Sequence, residues 1–586
     1  MPHNSKTQKR YSHFALHLVE DTELRLEMSA AMKVKRRLAG WVSVRKNVHI
    51  DTNLLPGYSG SGPAKLEKIR LRESPMKSSV AAVCGRELPS FLPVMLVLAI
   101  SLGMVLSASA QSLEKISTDT FTNGDSDHKT EVEPDTFAWG NTIVSAFHIA
   151  RRPGSIGWGS ADVGFSTSTN GGVSWTYGSL PGLTVNYEGG TYGAAADPSV
   201  AYDAKHGQWL ISTLPLVGLS SASRYIGDVA VSRSSDGLSW GSPINIDKTH
   251  LDDKNWTVCD NTTTSPYYGN CYTEWDQAYG TGDVLMSVSS DGGQTWSAGQ
   301  SSSDQAGGLG GEPVVQPNGT VIVPFQGGGI DVFSSSNGGS TWGKSQAIAS
   351  IQSHLVAGGL RNPDLPSVGI DGVGNVYVVW SDCRFRTGCK ENDIVMSSSS
   401  NGTTWSTVTR IPIDATTSTV DHFLPGIGID PATSGSTAHM TIVYYYYPTA
   451  SCTASTCNLE VGYTTSTNGG STWTAGKKLA GPMKLAWLPV SDNGPMVADY
   501  IGVSYVNGNP FGVFAVAQAP TGSTLAEAMY TTKTALPAPG TEPTFSGLGD
   551  KPVAGAKSDH EMHFYYDDEG KREIPRSRWI VNISGQ

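Results

Sequence analysis

Short apolar runs recur along this chain from about residue 132 to about 535, and none continues into the three-to-four spacing of a long amphipathic helix. Seven of them follow one another at intervals: ThrIleValSerAlaPhe from Thr142, GlnTrpLeuIleSerThr from Gln208, CysTyrThrGluTrp from Cys271, ThrValIleValProPhe from Thr320, AsnValTyrValValTrp from Asn375, HisMetThrIleValTyrTyr from His439 and PheGlyValPheAlaVal from Phe511. Each is preceded by a turn signal and a second short run, as in Glu133-Pro134-Asp135, Asp197-Pro198-Ser199, Lys254-Asn255-Trp256, Glu312-Pro313-Val314, Leu365-Pro366-Ser367, Leu424-Pro425-Gly426 and Asp499-Tyr500-Ile501. Runs of this length bounded by Gly, Pro, Asn and Asp read as β-strands in antiparallel pairs. The pattern predicts an all-β chain.

Between the pairs a polar motif returns six times: Ser168 to Trp175, Ser234 to Trp240, Ser289 to Trp296, Ser335 to Trp342, Ser399 to Trp405 and Ser466 to Trp473. Every copy has Asp or Asn followed by Gly in the middle, the chemistry of a tight turn whose backbone visits positive φ. Ser or Thr and then Trp follow, so that hydroxyls and the Asx side chain hold the loop while the indole folds under it. The tryptophans are roughly 45 to 70 residues apart, room for one four-stranded sheet per repeat and close to the length of a propeller blade.

These motifs resemble the Asp box, or bacterial neuraminidase repeat, and from about Val132 to about Ala535 the chain is similar to the sialidase-like β-propellers, so that residues 111–536 are expected to form one propeller. The resemblance implies six Asp-box turns between the third and fourth strands of successive blades, away from the working face. Counting strand pairs favours seven blades, six being the alternative, with a strand near Leu113 to Ile116 completing the last blade and closing the ring.

Composition changes the picture at the N-terminus. Residues 1–110 carry a net +8, leaving −19 for the remainder of a chain whose total is −11. The apolar run Phe91 to Leu106 follows Lys77 and Arg86 and ends at Ala108-Ser109-Ala110, so residues 76–110 read as a secretory signal, with an N-terminal membrane anchor as the alternative. Residues 1–75 are then a leader or lie before the true start. No further apolar stretch of spanning length follows. Of the seven cysteines, six follow the signal as close pairs, Cys259 with Cys271, Cys383 with Cys389 and Cys452 with Cys457. In an exported chain that pattern predicts three local disulfides, and neither C-x-x-C nor a histidine pair favours zinc. The acidic, Gly-, Ser-, Thr- and Trp-rich remainder points to a secreted, extracellular protein and away from nucleic acid. Residues 537–586 are polar, rich in Pro and Gly, and read as an irregular tail.

Strand order places the loops entering innermost strands and leaving second strands on one mouth. Candidate chemistry gathers there: Glu133, Asp135, Asp197, Asp253, Lys254, Trp256, Glu312, Arg361, Asp364, His422, Asp499 and Tyr500 on entering loops, and His148, Arg151, Arg152, Glu274, Asp276, Asp382, Arg384 and Arg386 on leaving ones. Carboxylates supply acid and base for glycosidic cleavage, Arg clamps a substrate carboxylate, and Trp or Tyr stacks on a sugar face. A glycan is therefore the expected partner. The structural alternatives are Asp capping turns, Lys254 bridging to the Asp of a neighbouring blade, Arg361 and Arg384 paired with Asp364 and Asp382, and His422 as a hydrogen-bonded core group.

The resemblance implies an arginine triad, a tyrosine nucleophile with a glutamate base, and an aspartate acid. By loop placement these fall on Arg151 or Arg152 with Arg361 and Arg384, on Tyr500 with Glu312, and on Asp135 or Asp253; Lys254, Trp256, Asp382 and His422 are further binding candidates. The family's early Phe/Tyr-Arg-Ile-Pro motif is absent, HisIleAlaArgArgPro standing at 148–153 instead. A sialidase-like glycoside hydrolase is the expected activity, exo-α-sialidase first; a non-catalytic glycan- or protein-binding propeller, and a polysaccharide lyase or hydrolase of another uronic sugar, are the alternatives. No cofactor or catalytic metal is expected, and a structural Ca2+ stays open.

Overall fold

A computed structural model describes residues 111–217, 226–277, 281–537 and 543–554, together with the short strands Phe564–Tyr566 and Arg572–Pro575. The leader and signal expected over residues 1–110 lie outside the described residues. Among those described the chain is nearly all β, broken only by 3-10 turns at Ala357–Gly359, Gly435–Thr437 and Leu485–Trp487. No described helix is long and apolar enough to cross a membrane.

The strands form antiparallel groups of four taken in chain order. Glu131–Trp139, Thr142–Arg151, Ser160–Ser168 and Thr176–Ser179 form the first group. Ala194–Asp203, Gln208–Val217 and Ile226–Ser234 continue, and the 16-residue strand Ile244–Cys259 serves twice. Its Ile244 end pairs with the strand before it, whereas Asn255 to Cys259 pair with Cys271–Asp276 in the next group, completed by Val284–Ser289 and Gln300–Ser301. Separate four-stranded sheets then begin at Val314, Ser367 and Asp421. In the last group, Gly502–Val506, Asn509–Ala517 and Glu527–Thr532 are joined by Leu113–Lys115, which pairs with Glu527–Thr532 from the other end of the chain.

The core lies between neighbouring groups and not in one central mass. Val144, Phe165 and Trp209 join the first to the second; Tyr272, Val323 and Phe333 join the third to the fourth; Val378, Trp380 and Ile322 the fourth to the fifth. Ile143 packs with Val506 and Phe511, and so joins the first group to the last. Neighbouring sheets thereby cover one another's faces, which is what apolar runs in these strands demand.

The six polar motifs sit at the third-to-fourth turn of their groups and make one repeated set of bonds. The leading serine hydroxyl accepts the amide of a glycine, at 2.9 Å for Gly172, 2.8 Å for Gly237, 3.0 Å for Gly293, 3.0 Å for Gly339, 2.9 Å for Gly402 and 3.1 Å for Gly470. The Asx oxygen accepts an amide further along the turn, as Asp291 does from Gln294 and Thr295. The same glycine lies against the preceding group. A Cβ there would come within 2.5 Å of Phe511 at Gly172, 3.0 Å of Val144 at Gly237, 2.9 Å of Leu210 at Gly293, 2.5 Å of Val288 at Gly339, 2.5 Å of Ile322 at Gly402 and 2.6 Å of Met396 at Gly470. The motif is a rivet between sheets, and glycine is required by close approach as well as by its φ.

All three expected disulfides are present, Cys259–Cys271, Cys383–Cys389 and Cys452–Cys457. Part of the tail is ordered against the body: Thr544–Phe545 pairs with Trp473–Thr474, and the Val553 amide donates to the Arg384 carbonyl at 2.8 Å.

Candidate functional site

The innermost strands do not run straight. The ladder shifts register between Val132 and Asp135, between Ala196 and Ser199, between Phe423 and Gly426, and between Asn255 and Asp253. In three of these the residue after the kink is proline, which has no amide to give the ladder. The residue at the kink takes a positive φ, 54° at Glu133, 45° at Asp197, 40° at Lys254 and 49° at Leu424. Such backbone costs about 1–3 kcal/mol per residue and persists where its surroundings hold it. A bulge re-aims its side chain, and three of the four contribute to one buried ion cluster.

Lys254 is the centre of that cluster. Its Nζ donates to Asp197 Oδ1 at 2.8 Å and to Asp499 Oδ2 at 2.6 Å, and lies 3.5 Å from Glu133 Oε1. Arg361 grips the same Asp499 with Nε at 2.6 Å and with Nη2, while its Nη1 is 3.7 Å from Asp492. His148 Nε2 is 2.8 Å from Glu133 Oε2 and 2.8 Å from the Asp197 amide. Burial opposes charge on Asp499, but Arg361 and Lys254 outweigh it and hold this carboxyl well below the usual range. Lys254 is likewise buried, and Asp197 and Asp499 keep it charged.

A small cleft opens beside Lys254, walled by Trp256, Tyr500, Glu312, Gly310, Gly311 and Leu365. Trp256 and Tyr500 meet edge to face at 5.2 Å. Glu312 is half-buried, and burial with the nearby Asp135 carboxyl raises it well above its ordinary value. Next to Lys254 in the chain, half-buried Asp253 is pushed to about 7 by burial and by Asp197. Behind the Gly310–Gly311 wall, the Gly311 amide donates to Glu274 Oε1 at 3.3 Å; the second oxygen of Glu274, and Oδ2 of Asp276, have no hydrogen-bond partner.

The structure thus brings Asp253, Lys254, Trp256, Glu312, Arg361 and Tyr500 to one place. Asp135 lies just inside it, buried, accepting the Val200 amide at 2.7 Å and raised by burial to about 7. Arg151 is also buried and lies within the field of Arg361, its Nη1 donating to the carbonyls of Arg152 and Gly159 at 3.0 and 2.5 Å. Arg152 turns instead to Asp125. Arg384 does not converge with Arg361: its fork is bound to Asp382 at 2.8 and 2.7 Å, and Asp382 also accepts the Trp380 indole N–H at 3.2 Å. That is the structural pairing. Arg361, by contrast, pairs with Asp499 and not with Asp364.

His422 belongs to a different knot, 3.8 Å from Asp414 and packed between Tyr444 and Tyr446, beside the network of Arg386, Asp393, Asp414 and Arg410. Two roles change. Tyr500 donates its hydroxyl to the Pro198 carbonyl at 3.1 Å, and burial together with Asp197 raises its pKa, the opposite of what a nucleophile needs. Burial and the Asp135 carboxyl raise Glu312, a shift that suits an acid better than a base. Glu133, His148, Asp197 and Asp499 complete the cluster; the Glu-Pro and Asp-Pro pairs opening inner strands were its signal in the sequence.

Two groups of side chains have metal-like spacing, Glu133 with His148 and Asp197, and Asp393 with Asp414 and His422. The Lys254 ammonium fills the cation's part in the first, and Arg386 and Arg410 fill it in the second.

No protein-family model matches the chain, and no curated protein matches it. Among solved structures, it is similar to a Hadza microbial sialidase at 12% identity, covering 70% of this chain and 67% of that one with a TM-score of 0.35. An ulvan lyase bound to a sulfated rhamnose–glucuronic acid oligosaccharide has 12% identity, covers 71% and 95%, and has a TM-score of 0.41. A Trypanosoma rangeli sialidase in complex with an inhibitor has 10% identity, covers 72% and 59%, and has a TM-score of 0.36. Chemistry is argued below from the site's own geometry.

Proposed function

We propose that this protein is a secreted glycoside hydrolase built on a seven-bladed, Asp-box β-propeller, acting on terminal sugars of extracellular glycans. Contacts between successive innermost strands, and the packing of Phe511 on the Gly172 turn, support a ring closed between last and first blades. Three disulfides and the signal-like segment support export.

One observation carries the activity: the cleft puts a half-buried carboxyl, Glu312, raised by burial above its ordinary value, against an aromatic wall of Trp256 and Tyr500. Trp256 stacks on the sugar, Glu312 protonates the leaving oxygen, and Asp253, titrating near 7, is the second carboxyl. Arg361 is engaged by Asp499, so a sialic acid carboxylate must compete for it, whereas an uncharged sugar need not. The test is release of a fluorophore from α-sialosides and from neutral glycosides. Glu312→Gln is expected to lower turnover by roughly 10²–10⁴-fold with the fold unchanged, and Trp256→Ala to raise KM. Glycan binding without release from any glycoside sinks the hydrolase reading in favour of a binding propeller, and unsaturated products absorbing in the ultraviolet would identify a lyase.

A further inference from the structure

Where the last group of strands meets the first, three segments remote in sequence are tied together. The Ile116 amide donates to the Met529 carbonyl at 2.9 Å, the Met529 amide to Ser117 Oγ at 2.8 Å, and the Glu527 amide to the Lys129 carbonyl at 2.8 Å. Glu131, two residues after Lys129, begins the first innermost strand. Glu131 and Glu527 are 1% and 0% exposed, close enough for the charge of Glu131 to act on Glu527. No donor reaches either oxygen of Glu527, and those of Glu131 have only the Ser117 hydroxyl and the Asp119 amide nearby, neither in good hydrogen-bond geometry.

Two adjacent carboxylates buried with so little to pair them are among the costliest arrangements a protein can hold. The neighbouring charged groups do not relieve it. Lys115 acts on Glu131 from an exposed position, and Asp119 is itself acidic, its oxygens occupied by the amides of Phe121 and Lys129 and by His128. What is missing is a positive charge that accepts oxygen ligands only.

We propose that Glu131 and Glu527 bind a calcium ion that clasps the first and last groups of strands, with Ser117 Oγ beside them as a neutral oxygen. The donors are all oxygens, with neither imidazole nor thiolate among them, which selects a hard cation. Carboxylates and a hydroxyl that are not arranged as an octahedron suit Ca2+, whose geometry is flexible and whose shell water can complete, better than Mg2+. The millimolar calcium outside cells matches the weak affinity typical of extracellular modules. The inference is independent of the glycan reading.

The experiment is bound calcium per chain by equilibrium dialysis, with melting temperature at pH 7.5 in 2 mM CaCl2 and in EGTA. It compares the purified protein with Glu131→Gln, Glu527→Gln and Ser117→Ala. The expected result is one ion per chain and a melting temperature raised by ~2 °C or more, both lost in the two glutamine variants. Ser117→Ala, which leaves the carboxylates in place, is expected to fold and to bind calcium severalfold more weakly, so the proposal stays testable should the glutamine variants not fold. No calcium uptake by the unmodified protein, or uptake that all three variants retain, overturns it; the first outcome leaves a carboxyl pair sharing a proton.

Discussion

Asp499→Ala is the most informative single change to this molecule. The Asp499 side chain is fully buried and accepts from Arg361 Nε at 2.6 Å, from Arg361 Nη2 and from Lys254 Nζ at 2.6 Å. At about 1.5–3 kcal/mol for each hydrogen bond to a charged group, the three set a ceiling of roughly 4–9 kcal/mol. The actual loss is smaller. Lys254 keeps Asp197 at 2.8 Å and Glu133 at 3.5 Å, and Arg361, 16% exposed, keeps Asp492 at 3.7 Å and recovers some hydration. Breaking one partner out of a buried ion cluster costs about 3–5 kcal/mol, and that is the expected value from urea unfolding midpoints at pH 7. Removing charge on both sides, in Arg361→Met with Asp499→Leu, should return more than half of it, since no cation is then stranded. Because the folded-state pKa of Asp499 is depressed, its contribution is complete above the unfolded carboxylate value of about 4 and is lost only as pH falls through the lower folded value. An Asp499→Ala protein within about 1 kcal/mol of the unmodified one would mean that the cluster is hydrated, and the reasoning would fail.

Other changes test other parts of the structure. Gly171 and Gly172 share one turn and both have positive φ, but a Cβ at Gly171 meets nothing within 4 Å whereas one at Gly172 meets the Phe511 ring at 2.5 Å. Thermal unfolding should therefore show Gly171→Ala costing ~1 kcal/mol and Gly172→Ala ~2–4 kcal/mol; equal costs would refute the rivet. Burial raises Asp162 to about 8, and burial with Asp247 raises Asp252 to about 8. Each holds a proton when folded that it releases when unfolded, so stability should fall as pH rises from about 4 to about 8 and then level off; a melting temperature that climbs across that range would contradict it. Tyr500→Phe removes only the bond to the Pro198 carbonyl and should leave any turnover within about tenfold, whereas abolition would restore the tyrosine as nucleophile. Cys259 and Cys271 face each other across adjacent strands, and replacing both with serine should cost ~2–4 kcal/mol by urea unfolding.

Local chemistry was legible in the sequence wherever it decides local structure. Asx-Gly pairs force turns whatever surrounds them, so the six motifs mark their hairpins in the sequence itself. Short apolar runs bounded by turn residues announced the strands, and cysteines five to twelve residues apart found each other. Loop order also put Asp253, Lys254, Trp256, Glu312, Arg361 and Tyr500 on one mouth, because an antiparallel strand pair alternates ends without regard to side chains. What loop order lacks is position around the axis. Arg361 lies three residues from Asp364 and 138 from Asp499, yet its partner is Asp499. Arg384 and His422, expected on the same mouth, are taken up by Asp382 and by the knot around Asp414. Proton affinity was equally hidden: nothing in the sequence separates a glutamate in water from Glu312, whose burial raises its pKa. The sequence by itself determined the strands, the turns and the face on which the charges gather. Tertiary packing alone decided which charges meet and which carboxyls keep their protons, because both depend on distance and desolvation between segments that the chain does not bring together until it folds.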